Sequence, residues 1–214
     1  MTAAPPPGLA ARFRAGTASL HRRAERSGIM AALLRGQADR AHYALLLRNL
    51  LPVYRAIEDG LERHRDSPAL RPFARAELYR APRIAADLTA LIGPDWTERL
   101  GTLPAGARYA YRVARAAERD GMALIAHAYV RTLGDLSGGQ LFPALLARTL
   151  ALPPQALQFY DFSAIPDLAA AKAAWRAAVD AAAPYLPAPE RLVREAQVAF
   201  RLNIALSEAV AAAR

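Results

Sequence analysis

Three glycines, a carboxylate and a guanidinium crowd into the fifteen residues AHAYVRTLGDLSGGQ, positions 126 to 140. The surrounding pattern is helical, and a glycine inside a helix costs about 1 kcal/mol against alanine. The chain is rich in alanine, so a need for small side chains alone would be met without glycine. Gly134, Gly138 and Gly139 therefore point to a flat or bulky ligand that must approach the backbone. Spacings of four and five place all three on one helix face, with Asp135, Arg131 and Ser137 beside it. The result is a bared helix surface flanked by charged groups.

A second chemical feature is LHRRAE, residues 20 to 25. Glu25 lies one helical turn beyond His21 on the same face. A carboxylate that accepts a proton from one imidazole nitrogen orients the other and raises its basicity, as at metal-ligating histidines. Of the other histidines, His64 in ERHR reads as solvated, His42 sits near a helix start without a partner signal, and His127 reads as a buried structural residue. No HExxH pair and no cysteine are present, which removes the usual zinc sites. No Walker loop, GxGxxG fingerprint or GxSxG nucleophile elbow occurs either. One axial histidine and a glycine-rich helix suit heme better than any of these.

Helices must position these groups. Apolar spacing and breakers predict helices at Leu9–Ser27, Ile29–Arg35, Arg40–Arg65 with Pro52 inside, Asp167–Ala183 and Pro189–Ala212. Residues 67–102 should hold shorter helices divided by Pro68, Pro82, Gly93 and Pro94. Ala105 to about Leu150 reads as one helical run bent at the glycine cluster. Leu152–Pro166 reads as a loop rich in proline and aromatics. With no alternating strand pattern, repeat or linker, the expectation is an all-α, single-domain bundle over 9–214, preceded by a flexible Pro/Ala lead at 1–8.

Composition narrows the class. The chain has 214 residues, 54% of them hydrophobic, enough for a sizeable core. The absence of cysteine excludes disulfides and suits a reducing cytoplasm. No run is apolar enough to span a membrane, and the N-terminus lacks the pattern of a signal peptide. The formal charge of +9 fits either an acidic partner or a solvated, arginine-rich surface. Lys172 is the sole lysine.

Together these blocks resemble the biliverdin-forming heme oxygenases of the soluble bacterial type. The resemblance spans nearly the whole chain. It rests on HRRAE at 21–25, on AY, R and GDLSGGQ at 128–140, and on EAQVAF followed by LN at 195–203. It implies a heme b, both cofactor and substrate, held between a proximal helix and a kinked distal helix. His21 would be the axial iron ligand. Gly134, Gly138 and Gly139 would let the distal backbone lie against the other heme face. Asp135 would anchor the distal water network, supported by Arg131 and Tyr54. Arg14, Lys172, Arg176 and Tyr129 would hold the propionates, Phe200 would line the pocket, and Glu25 would accompany His21. Departures are Ala18, where some relatives are basic, Pro143 soon after the glycines, and Trp175 where tyrosine is common.

The implied reaction opens heme to biliverdin, carbon monoxide and ferrous iron, using O2 and electrons from a reduced donor such as an acidic ferredoxin or flavoprotein reductase. The further expectations are a bilin acceptor for the product, a monomeric state, and no nucleic-acid or membrane partner. A heme carrier or sensor is the rival reading. It would keep His21 but has no need of Asp135 and three bare glycines. A thiaminase-like relative would need a cysteine nucleophile, and a nucleic-acid binder would need a basic recognition helix.

Overall fold

In the computed structural model the described residues, 7–213, are helical, with no strand among them. Ten α-helices are α1 Leu9–Arg26, α2 Gly28–Leu34, α3 Arg40–Arg63, α4 Ala81–Ile92, α5 Trp96–Arg99, α6 Pro104–Ala117, α7 Leu124–Ser137, α8 Phe142–Thr149, α9 Leu168–Ala182 and α10 Pro189–Ala212. The first six residues of the expected lead lie outside the described residues; Pro7 and Gly8 are exposed.

Local chemistry accounts for many helix ends. The Asp39 carboxylate accepts the His42 amide at 2.9 Å and caps α3. Asp167 accepts the amides of Ala169 and Ala170 at 2.8 and 2.9 Å and caps α9. Prolines open α4, α6, α8 and α10, where a missing N–H costs nothing. Gly28 starts α2 with φ +57°, and a Cβ there would meet the Ser207 carbonyl carbon at 2.4 Å. That position requires glycine both for its conformation and for the close passage of α10.

The expected single run from Ala105 to Leu150 is not continuous. It breaks between α6 and α7, where Gly121 turns the chain at φ +73°. Leu152–Pro166 is not wholly irregular, because short 3-10 turns form at Pro154–Ala156 and Gln158–Tyr160.

The helices share one large apolar core, built around Phe13, Tyr43, Leu47, Leu51, Tyr54, Ile57, Tyr109, Leu136 and Phe159. α3 packs on α6, α4 and α7, while α10 packs on α1, α2, α6 and α7. A separate small cluster joins α1, α7 and α10 through Ala24, Val130, Ala199, Phe200 and Ile204, with Leu20 and Tyr129 against it. The core thus ties α7 to α3 from behind, and α10 links α7 to α1.

Candidate functional site

The bend in the glycine segment is real and has a defined position. α7 ends at Ser137, whose ψ of −91° leaves the helical range, and Gly138–Leu141 tightens into a 3-10 turn before α8. Gln140 Nε2 donates to the Asp135 carbonyl at 3.0 Å and ties this turn back to α7. A Cβ at Gly134 or Gly138 would meet nothing within 4 Å, so the bared backbone faces open space. Gly139 differs. It is buried, and its Cβ position lies 3.4 Å from the Tyr160 ring. The expectation that all three glycines share one open face is corrected accordingly. The change from α to 3-10 geometry alters the rotation per residue and turns Gly139 inward.

Behind this surface lies a buried polar network. Asp135 is 5% exposed. Its Oδ2 accepts the Tyr54 hydroxyl of α3, and its Oδ1 lies 3.5 Å from an Arg131 terminal nitrogen one helical turn earlier. Arg131 Nε donates to the Tyr54 hydroxyl at 3.0 Å, and another of its nitrogens donates to Asn203 Oδ1 on α10 at 2.7 Å. Burial pushes the Asp135 carboxyl up from its ordinary value, against the Arg131 charge, the Tyr54 hydrogen bond and the Arg80 charge. Burial also disfavours the Arg131 cation, but Tyr54 and Asp135 outweigh it and leave the guanidinium more basic than usual.

One turn before Arg131, His127 is fully buried and donates from Nε2 to Glu195 at 3.1 Å. Burial raises the Glu195 carboxyl, yet hydrogen bonds from His127 and Arg112 overcome this and hold it at about 2. His127 Nδ1 and the Tyr109 hydroxyl are buried without a hydrogen-bond partner among the described residues. The sequence alone does not bring Tyr109, His127 and Glu195 together beside Arg131. One signal was available: His127, Arg131 and Asp135 recur every fourth residue along α7.

On α1, the His21 side chain is 57% exposed and packs edge-on against Phe200, with ring centroids 5.8 Å apart. Glu25 Oε1 is 3.6 Å from His21 Nδ1, near enough for charge pairing but too far for the expected hydrogen bond. Arg14 and Arg176 are exposed and Lys172 half-buried, and no carboxylate pairs with any of them among the described residues. Their helices, α1 and α9, pack together. Tyr129 is wedged between Phe13 and Trp175, at centroid distances of 4.9 and 6.1 Å. Trp175 is buried edge-on against Phe73, and Pro143 sits at the start of α8, so two departures from the family pattern are absorbed by packing. His64 is not simply solvated, because its Nε2 bonds to the Ala117 carbonyl at 2.8 Å; His42 Nδ1 meets Asp39 at 2.7 Å.

These features suit a planar, dianionic ligand with a metal at its centre. Open backbone at Gly134 and Gly138 leaves room for a flat face. His21 supplies one exposed imidazole, too little to hold a bare metal ion. No group of three or more potential metal ligands exists among the described residues. The unpaired cations of α1 and α9 suit carboxylates.

A family model for heme oxygenase matches residues 7–209. The chain is 35% identical over 201 residues to the heme oxygenase of Guillardia theta, covering 92% of this chain and 83% of that protein. It is 32% identical over 206 residues to heme oxygenase 1 of Homo sapiens, covering 95% and 72%. Its fold matches the crystal structure of heme oxygenase-1 from the cyanobacterium Synechocystis in complex with heme, with a TM-score of 0.86 at 33% identity over 95% and 92% of the two chains. It also matches the heme oxygenase structure from Leptospira interrogans, with a TM-score of 0.85 at 31% identity over 95% and 100%.

Proposed function

This chain belongs to the heme oxygenase family, and on that premise we propose how its residues divide the work of opening heme to biliverdin, carbon monoxide and ferrous iron. The observation that carries the reading is the open backbone at Gly134 and Gly138 beside the buried Tyr54–Asp135–Arg131 network. A heme carrier has use for the first and none for the second.

Heme is the substrate, and its iron supplies the activation of O2. His21 binds that iron from α1, with Phe200 fixing the imidazole ring and Glu25 close to its other nitrogen. Gly134 and Gly138 let the α7 backbone lie close to the opposite face, and Gly139 leaves room for the neighbouring Tyr160 ring, which a Cβ there would meet at 3.4 Å. Arg14, Lys172, Arg176 and Tyr129 hold the propionates and so set the in-plane orientation of the ring.

Asp135 is the proton-handling group. Its two oxygens are already engaged by Tyr54 and Arg131, so its orientation is settled before substrate arrives. Burial of the carboxyl favours the protonated form, while Arg131 and Tyr54 favour the anion. A carboxyl fixed in this way can orient the ordered water that delivers the proton. Arg131 ties the network to α10 through Asn203, and α10 in turn packs on α1, which carries His21.

Electrons come from a separate donor. The net charge of +9 favours an acidic ferredoxin or flavoprotein reductase. No helix among the described residues is long and apolar enough to cross a membrane. A cytoplasmic monomer that hands its product to a bilin acceptor is the setting we favour.

His21→Ala tests the assignment of the iron ligand. The variant should lose the histidine-ligated hemin spectrum and normal turnover, and added imidazole should restore part of both. Unchanged biliverdin formation without imidazole would remove His21 from this role.

A further inference from the structure

Two buried charged residues make no hydrogen bond to the Tyr54–Asp135–Arg131 network, although the Arg80 charge is felt at Asp135. Asp87, on α4, is 0% exposed, and Arg80, at the entrance to the same helix, is 2% exposed. Neither is paired with the other in an ion pair. Asp87 is engaged wholly by the main chain of residues 158 and 159, and Arg80 bridges the Asp161 carbonyl to the carbonyls of Glu77 and Leu78 just before α4. Asp87 Oδ1 accepts the Gln158 amide at 2.8 Å, and Oδ2 accepts the Phe159 amide at 2.9 Å. An Arg80 terminal nitrogen donates to the Asp161 carbonyl at 2.6 Å, and the guanidinium carbon lies 4.1 Å from the centre of the Phe162 ring. Arg80 is itself fixed, because Glu58 of α3 accepts the amides of Arg80 and Ala81 at 2.5 and 3.0 Å.

Burying charge is costly, and an apolar contact would join α4 to this segment more cheaply. What the charges add is direction. A carboxylate that takes two successive amides fixes the rotation of the segment as well as its distance. The segment's side chains are the rear wall of the distal side. Phe159 packs edge-on against Tyr54 at 5.5 Å, and Tyr160 packs on Gly139 and stacks on Phe142 at 5.3 Å. Tyr54 and Gly139 are the hydroxyl that engages Asp135 and the residue that anchors the bend.

We propose that Asp87 and Arg80 are positioning residues for the distal side of the site: by locking residues 158–161 they hold Phe159 against Tyr54 and Tyr160 against Gly139. They thereby set where Tyr54 meets Asp135 and how the bend after Ser137 is held. The inference rests on the proposed role of Asp135 and the distal glycines, but its primary test does not require heme.

The test is amide hydrogen exchange on the heme-free full chain, for wild type and Asp87→Asn. Asparagine keeps the shape but can accept only one of the two amides. Exchange at 134–141 should speed up about tenfold or more through local opening, while α1 and α10 stay protected. Hemin affinity should stay within about threefold, because His21 and the propionate cations are untouched, and the mixture of biliverdin isomers should broaden. Phe159→Leu leaves both buried charges intact and should give the same local pattern. Equal acceleration in every helix of Asp87→Asn would overturn the proposal in favour of a general stabilising role. Unchanged protection of 134–141 in Phe159→Leu would overturn it whether or not Asp87→Asn folds. Altered exchange without any heme cleavage would leave the clamp standing and refute the function it serves.

Discussion

Tyr54 and Asp135 are 81 residues apart in sequence, yet the Tyr54 hydroxyl donates directly to the Asp135 carboxylate inside the protein. Arg131 contacts both, so the carboxylate is held from two sides, beside the open backbone of Gly134 and Gly138. Asp135→Ala should therefore leave hemin binding within a few fold while biliverdin formation falls by a factor of at least about ten, the scale of a lost general acid. Tyr54→Phe removes the hydroxyl's two hydrogen bonds, to Asp135 and from Arg131, but leaves the carboxylate in place and should cost less, about 1–2 kcal/mol in activation free energy. Single-turnover kinetics with bound hemin separate the two. Wild-type rates in Asp135→Ala would mean that proton delivery runs elsewhere.

Gly138 gives a prediction in which stability and function move in opposite directions. Its backbone is helical and a methyl group there would meet nothing within 4 Å. Gly138→Ala should raise the thermal midpoint of the heme-free protein, by up to about 1 kcal/mol of stability. Bulkier Gly138→Leu should lower hemin affinity sharply, because its side chain would fill the space a flat ligand needs. Gly28→Ala is the control. Its positive φ and the α10 backbone at 2.4 Å make it destabilising with no specific effect on hemin. Equal hemin affinity in Gly138→Leu and wild type would show that the ligand does not approach this backbone.

These contrasts bear on what could be read from the sequence. α10 was expected at Pro189–Ala212 and occupies those residues, because proline marks its start and apolar spacing continues to its end. The all-α class followed from the same periodicity. The break at Gly121 was missed because a single glycine in an alanine-rich run looks tolerable, and only its positive φ reveals a turn. Gly139 was placed on the open face because a uniform 3.6-residue period was extended past Ser137, where the backbone tightens. The pairing of His127 with Glu195, and the burial of Tyr109 near them, depend on α6, α7 and α10 meeting. No local pattern encodes such contacts.

Charge reversal tests the rim. Lys172→Glu and Arg176→Glu should each weaken hemin binding, and the double variant should weaken it more. The loss should shrink at high salt, because exposed charges are screened within about 8 Å at physiological ionic strength. A titration followed in the Soret region at two salt concentrations reads this directly. Salt-independent affinity in wild type would show that the propionates bind elsewhere.

Two carboxylates, half-buried Glu195 and buried Asp87, give opposite pH signatures. Glu195 is held at about 2, below its ordinary 4.5, so its stabilisation is complete above about pH 4.5 and is lost as pH falls toward 2. Asp87 is pushed up to about 6 from 3.8, chiefly by burial and in spite of the two amides it accepts. The folded state then binds its proton more tightly than the unfolded chain does, so Asp87 makes stability fall as pH rises from about 4 to 6. Denaturant midpoints measured from pH 3 to 8 should show Glu195→Gln losing the acid-side slope and Asp87→Asn losing the fall between 4 and 6. Parallel curves for either variant and wild type would refute the corresponding assignment.

The central claim is that this protein cleaves heme, with His21 below the ring and Asp135 above it. An optical spectrum of the protein with one equivalent of hemin, before and after adding a reductant in air, tests it most directly. The account predicts a histidine-ligated heme spectrum that bleaches into that of biliverdin. A heme band that persists intact under turnover conditions, or no heme band at all, would contradict it.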